Sequence, residues 1–157
     1  MQRFKITKNG YYGLKTKLDH LLNVERPAVS KAIGEAIEMG DLSENAEYSS
    51  AKDKQVIIEN NISNLTDLLS RADVIDVSKL NGDIIDFGAT VGLIDEDTEK
   101  KVLYQLVSEV ESDLDNGKIS IESPVGKALI GKLKGDEIEI KAPSGTKFYE
   151  VISVEWK

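Results

Sequence analysis

Apolar residues recur along the first half of the chain at alternating steps of three and four. From Tyr48 the series runs Tyr48, Ala51, Gln55, Ile58, Ile62, Leu65, Leu69 and Ala72, the a/d seam of a coiled coil with one polar member. Upstream the same spacing begins at Tyr11, Leu14, Leu18 and Leu21, slips at Glu25-Arg26-Pro27, and resumes as Val29, Ile33 and Ala36. Pro27 cannot donate a helical hydrogen bond, so it predicts a kink or short break there. Thr7 can cap the start of this helix, and Gly40 suits its left-handed stop. Only Gly40-Asp41-Leu42-Ser43 separates the two periodic stretches, so the helices must fold back as an antiparallel hairpin. About 33 helical residues at ~1.5 Å each would make an arm ~50 Å long.

The period then changes. Asp83 to Ile94, Lys100 to Val107, Lys118 to Ile121, Asp136 to Lys141 and Lys147 to Glu155 are short β-branched or aromatic runs divided by Asn, Asp, Gly and Pro, and they read as strands. Pro143-Ser144-Gly145 predicts the turn of a hairpin between the last two. Pro124 to Gly131 fits one short helix entered at Ser123. The expected fold is α+β: a helical hairpin arm over residues 1–75, a linker over 76–82, and a small α+β domain over 83–157.

Composition narrows the function classes. The chain has 157 residues and a net charge of −8, with no cysteine and one histidine, so disulfides, thiolate catalysis and Cys-based zinc sites are ruled out. The longest apolar runs, such as Val56-Ile57-Ile58, fall far short of the ~20 residues that span a bilayer. The start, Met1 to Thr7, lacks the apolar core of a secretory signal, so a cytoplasmic protein with no membrane partner is expected. Residues 1–75 carry 10 cationic and 11 acidic side chains, whereas 76–157 carry 10 and 17. That balance argues against binding nucleic acid mainly through phosphate neutralisation.

Candidate chemistry is concentrated at the turn of the arm. Glu35, Glu38, Asp41, Glu44 and Glu47 recur every third residue, with no Lys or Arg between Lys31 and Lys52. Like charges so spaced on a helix repel slightly. Asp41-Leu42-Ser43-Glu44 has the spacing of a capping box, which would explain Asp41 and Glu44 by helix initiation alone. Alternatively, Ser43 is the cap and Glu44 favours the helix dipole. A carboxylate pair at the end of an arm has no cleft, nucleophile or water-excluding wall of its own. If it does chemistry, it does so inside a partner, and two oxygen ligands are what Mg²⁺ usually takes from protein.

Gly40 to Tyr48, GDLSENAEY, with Ala51-Lys52 after it and Arg26-Pro27 and Ala32-Ile33 before it, closely resembles the signature of the bacterial Gre-type transcript cleavage factors. The run SPVGKALIGKLKGDEIEIKAPSGTKFYEVISVEW, Ser123 to Trp156, resembles the second signature of that family, and FGATVGLI, Phe87 to Ile94, extends the likeness over nearly the whole chain. The resemblance implies an antiparallel coiled coil followed by an FKBP-like domain. It also implies a partner, bacterial RNA polymerase, with the globular domain docked at the rim of the secondary channel and the arm inside it. Carried over, Asp41 and Glu44 would help hold a second, weakly bound Mg²⁺ shared with the polymerase and orient the water that cleaves the displaced 3′ end of backtracked nascent RNA. The protein would not itself be an enzyme, would bind no metal alone, and would act as a monomer.

Ser43, Asn45, Glu47 and Tyr48 fall in the same motif. Ser43 and Asn45 suit turn and cap hydrogen bonds as well as contact with polymerase or RNA, and Tyr48 occupies a seam position suited to packing. Family members often read Ala-Arg-Glu-His where this chain has Ala36-Ile37-Glu38-Met39, so two cationic positions near the tip are apolar. Lys31, Lys52 and Lys54 remain for an RNA-facing basic patch, or equally for solvated helix surface. Short extruded RNA fragments are therefore the expected substrate. His20, mid-helix among leucines, needs no functional role. Three other readings stand beside the first. An anti-cleavage paralogue would carry an altered tip. A prolyl isomerase would need an apolar pocket built from Phe87, Tyr104, Phe148, Tyr149 and Trp156. A coiled-coil adaptor would tolerate neutral residues at the tip.

Overall fold

The structure is a computed structural model and describes residues 2–157. It divides into two units, one formed mainly by residues 11–72 and the other by residues 3–10 together with 73–157.

The first unit is the helical hairpin. Helix α1 (Lys8–His20) is followed without a break by a π turn (Leu21–Glu25) and helix α2 (Arg26–Glu38). Thr7 caps α1, its Oγ1 accepting from the Gly10 N–H at 3.0 Å. The expected break at Pro27 is displaced and takes a different form. Arg26 N–H reaches back to the Leu21 carbonyl, the five-residue step of a π turn, and Pro27 lies in the first turn of α2, immediately after it. The seam shows why. Continuing from Leu21 by steps of four and three would place the next apolar residues at 25 and 28, whereas Val29 arrives one residue late. A π turn absorbs one extra residue, so Leu21 and Val29 are both buried.

Helix α3 (Ala46–Arg71) returns along this rod, and its 26 residues run for ~39 Å. Leu21, Val29, Ala51, Ile58 and Ile62 form the buried seam, with Leu18, Leu22, Ile33 and Leu65 packed around them. The Arg26 guanidinium adds a two-pronged pair to Glu59, at 2.9 and 2.7 Å. Both partners are exposed, so its worth is small. Ala72, expected as the last seam residue, instead opens strand β2.

The second unit begins before the arm. Strand β1 (Phe4–Thr7) pairs with β2 (Ala72–Ile75), which follows α3, and Arg3 and Asp73 bond beside them at 2.8 and 2.6 Å. Thr7 donates its N–H and its hydroxyl to the two oxygens of Glu111, at 2.9 and 2.6 Å. Residues 76–82, expected as a linker, hold a 3₁₀ turn (Val77–Lys79) capped by Asp76, with Val77 buried.

A five-stranded sheet has the order β5-β4-β3-β7-β6, formed by β3 (Thr90–Asp95), β4 (Lys101–Val107), β5 (Lys118–Ser120), β6 (Glu137–Ala142) and β7 (Gly145–Glu155). Within this sheet β4 and β5 pair in parallel and the other neighbours antiparallel. The run from Asp83 is strand only from Thr90. Ahead of it, a turn closed by Ala89 N–H to the Asp86 carbonyl and a positive φ of 89° at Gly88 interrupt the ladder, although Ile85, Phe87 and Ala89 are buried. Helix α4 (Pro124–Leu129) is capped by Ser123 as expected, its Oγ accepting from Gly126 N–H at 3.0 Å. A Cβ at Gly126 would run into the Ser120 carbonyl, so only glycine lets this helix lie so close to β5. The core is built on Ile85, Val91, Leu93, Leu106, Leu129, Ile138 and Val151. Among the described residues no helix is long and apolar enough to cross a membrane.

Candidate functional site at the tip of the hairpin

The turn between α2 and α3 is built by three polar side chains with separate tasks. Helix α2 ends with Gly40 at a φ of 123°, and Met39 and Gly40 donate to the Ala36 and Ile37 carbonyls at 3.1 and 3.4 Å. Asp41 does not cap α3. Its Oδ1 accepts from the Ser43 N–H at 3.0 Å and the Ser43 hydroxyl at 2.8 Å, which folds Leu42–Glu44 into one 3₁₀ turn.

Asn45 is the cap. Its Oδ1 accepts from the Tyr48 N–H at 3.0 Å, and its Nδ2 donates to the Ala36 carbonyl at 2.6 Å. One amide thereby satisfies an unpaired donor of α3 and ties it to the last turn of α2. The capping box expected over Asp41 to Glu44 is thus corrected, because the 3₁₀ turn delays the helix start to Ala46. Ser43 is a turn donor, and Asn45 takes its cap role. Tyr48 is half-buried, at the tip end of the seam.

This division leaves the two acids in different states. Asp41 is exposed, and the Ser43 N–H, then the Ser43 hydroxyl, hold its pKa below the ordinary carboxylate value. Glu44 is exposed too and makes no side-chain hydrogen bond or ion pair among the described residues. Glu47 stands in the first turn of α3, where a negative charge complements the helix dipole. Glu35 lies 4.0 Å from Lys31. No group of three or more metal-ligating side chains is gathered among the described residues.

The three lysines have different surroundings. Lys31 faces Glu35 on α2, Lys52 donates to the Gln55 amide oxygen at 3.1 Å, and Lys54 borders a shallow groove between α2 and α3 with Glu35 and Glu47. The apolar collar of the tip was only partly expected: Ile37, Met39 and also Leu42 are exposed, at 51%, 67% and 40%. Hydrophobicity next to a turn signal was the available clue to Leu42. His20, at the end of α1, is exposed and lies 4.0 Å from Glu25. In the sheet unit Phe87 is buried, Tyr104, Tyr149 and Trp156 pack on the core, and Phe148 lies at the surface, so the aromatic residues mostly serve packing.

Residues 4–74 match a family model described as the N-terminal region of transcription elongation factors, and residues 80–156 match one described as the C-terminal region of transcription elongation factor GreA/GreB. The chain is 53% identical over 156 residues to transcription elongation factor GreA of Rhodospirillum rubrum, covering 99% of both proteins. It is 54% identical over 155 residues to GreA of Rickettsia canadensis, covering 99% of this chain and 96% of the relative. Among solved structures, GreA factor homolog 1 of Thermus thermophilus is 31% identical, covers 98% of this chain and 99% of its own, and superposes with a TM-score of 0.45. With both units matched in order and relatives aligned along nearly its full length, the chain belongs to the GreA/GreB family of transcription elongation factors.

Proposed function

We propose that the protein stimulates Mg²⁺-dependent cleavage of the 3′ end of backtracked nascent RNA by bacterial RNA polymerase, entering the secondary channel tip first while the sheet unit docks at the rim. The observation that carries this reading is the division of labour at the tip. Asn45 caps the helix, so Glu44 is left without a structural task and Asp41 is held ionised by its own turn. Two exposed carboxylates, with no third ligand gathered beside them, suit a metal shared with a partner that supplies the remaining ligands. When bound, that metal would stabilise the attacking and leaving oxygens of an in-line displacement. Asp41, preset by the Ser43 hydrogen bonds, would present one oxygen in a fixed direction. Glu44, free to turn, would accept a proton of the attacking water or complete the ligand set. Met39 and Ile37 put no cation beside the RNA, so grip on a long extruded strand would come from the polymerase.

The test replaces both acids by their amides. Asp41→Asn keeps an acceptor for Ser43, and Glu44→Gln breaks no contact, so the double variant should melt with the parent and still compete for the channel. At saturating factor, cleavage on a stalled, backtracked complex should fall by about a hundredfold or more, since several kcal/mol of charge stabilisation are removed. Parent-like cleavage by the variant would refute the mechanism. Inhibition of polymerase by the parent would instead identify the anti-cleavage paralogue.

A further inference from the structure

The sequence contains three Asn-Gly pairs, Asn9-Gly10, Asn81-Gly82 and Asn116-Gly117. Chemically they are equivalent: glycine leaves its backbone nitrogen unhindered, so that nitrogen can attack the asparagine side-chain carbonyl. We infer that the fold singles out Asn81 as a site of spontaneous deamidation and isomerisation, and that the change is felt at Trp156.

The other two pairs are held. Gly10 lies in the first turn of α1 with its N–H donated to Thr7 Oγ1 at 3.0 Å. Gly117 donates its N–H to the Leu114 carbonyl at 3.0 Å, and the Asn116 amide is tied by its Nδ2 to Asp113 at 2.5 Å. Both nitrogens must break a hydrogen bond before they can lose a proton and attack. Asn81-Gly82 lies outside any helix or strand, and both residues are exposed. Among the described residues neither the Gly82 N–H nor the Asn81 amide has a hydrogen-bond partner. Gly82 has a φ of 120° and open space where a Cβ would stand, and its bond from the Trp156 indole is to its carbonyl and leaves the N–H unpaired.

The step is balanced without an added oxidant or reductant. The Gly82 nitrogen loses its proton to solvent and forms a bond to Asn81 Cγ, the Cγ–Nδ2 bond breaks, and ammonia leaves with a proton. The resulting five-membered imide takes up water at either carbonyl and opens to aspartate or isoaspartate. Each opening adds one negative charge, and isoaspartate also inserts a methylene into the backbone. The Gly82 carbonyl accepts the Trp156 indole N–H at 3.0 Å, so the altered bond lies immediately before an anchor of the C-terminal strand region.

The experiment ages the full-length protein in mildly alkaline buffer and maps peptides by mass spectrometry, with isoaspartate detected by enzymatic methylation. Deamidation at Asn81 should exceed that at Asn9 and Asn116 by about tenfold or more, since the latter two react only through local opening. In concentrated urea the three rates should converge. Trp156, the sole tryptophan, should drift in fluorescence in step with the Asn81 product, and Asn81→Ser should abolish the drift. Equal rates in the native protein, a lead for Asn81 that persists in urea, or drift that continues in Asn81→Ser would overturn the inference.

Discussion

At the scale of single residues, Asn45 caps α3 and the Asp41–Ser43 pair folds the turn before it, while Glu44 makes no side-chain hydrogen bond or ion pair among the described residues. Asn45→Ala would leave the Tyr48 N–H without its cap and remove the tie to the Ala36 carbonyl, which keeps its bond from the Met39 N–H, so its cost should be that of a lost cap, ~1 kcal/mol, read as a lowered thermal midpoint. Glu44→Ala, by contrast, should leave the midpoint unchanged. Asp41 gives a test in pH. Its pKa is lowered by the Ser43 bonds, so the turn they hold is favoured while Asp41 is ionised and is lost as pH falls through the lowered value. Ser43→Ala keeps the N–H and removes the hydroxyl, so an NMR titration should show the Asp41 pKa move part of the way back up. No movement would mean that the hydroxyl does not hold the carboxylate. The acids were legible in the sequence as an unbroken negative run, and so was their position at a turn. Asn45 as the cap was not, because the D-x-x-E spacing mimicked a capping box. Yet the seam that starts at Tyr48 already required a helix start close to residue 45, and a 3₁₀ turn between Asp41 and Asn45 reconciles the two signals.

Among the elements, the helical pairing was the most legible feature, since a seam of alternating threes and fours can be buried only against another helix. The register slip was legible as well, but its form was not. Proline suggested a kink at residue 27, whereas the chain inserts its extra residue one turn earlier and keeps the helix continuous. Removing Val24, exposed in the π turn, should let an ordinary α turn replace it and keep Leu21 and Val29 on one seam, with helix content preserved and a melting temperature within a few degrees of the parent. Removing Asn23 and Val24 together would rotate α2 by a further ~100° and turn Val29 and Ile33 away from α3, lowering the midpoint sharply. Circular dichroism melts of both deletions decide it, and equal damage from each would refute the phase argument. Strand β1 escaped the sequence reading because its partner β2 lies on the far side of the arm, and no local pattern records a pairing across so many residues.

On the scale of the whole molecule, the change of period near residue 75 and the concentration of negative charge after it marked two units, and the family models divide at the same place. What local patterns could not show is that residues 3–10 group with the second unit, so the arm leaves and re-enters it through β1 and β2. If Asp41 and Glu44 at the tip act on a metal inside a partner, the reach of the arm is a functional quantity. Deleting one heptad from α2 and the facing heptad from α3 keeps the seam in phase and shortens the hairpin by about 10 Å. It leaves the tip residues Asp41, Ser43, Glu44 and Asn45 and the entire sheet unit intact. Coordination operates at ~2.0 to 2.1 Å, so a tip held several ångströms short cannot be rescued by side-chain rotation. The shortened protein should therefore compete with the parent for RNA polymerase at similar concentration, yet leave cleavage of a backtracked transcript at the rate of polymerase alone. Restoring an unrelated in-phase heptad to each helix should restore cleavage, because length rather than the deleted side chains was lost. Cleavage retained by the short arm would show that the acids do not act by direct contact with the metal, and failure of the restored arm would assign a role to the deleted residues themselves.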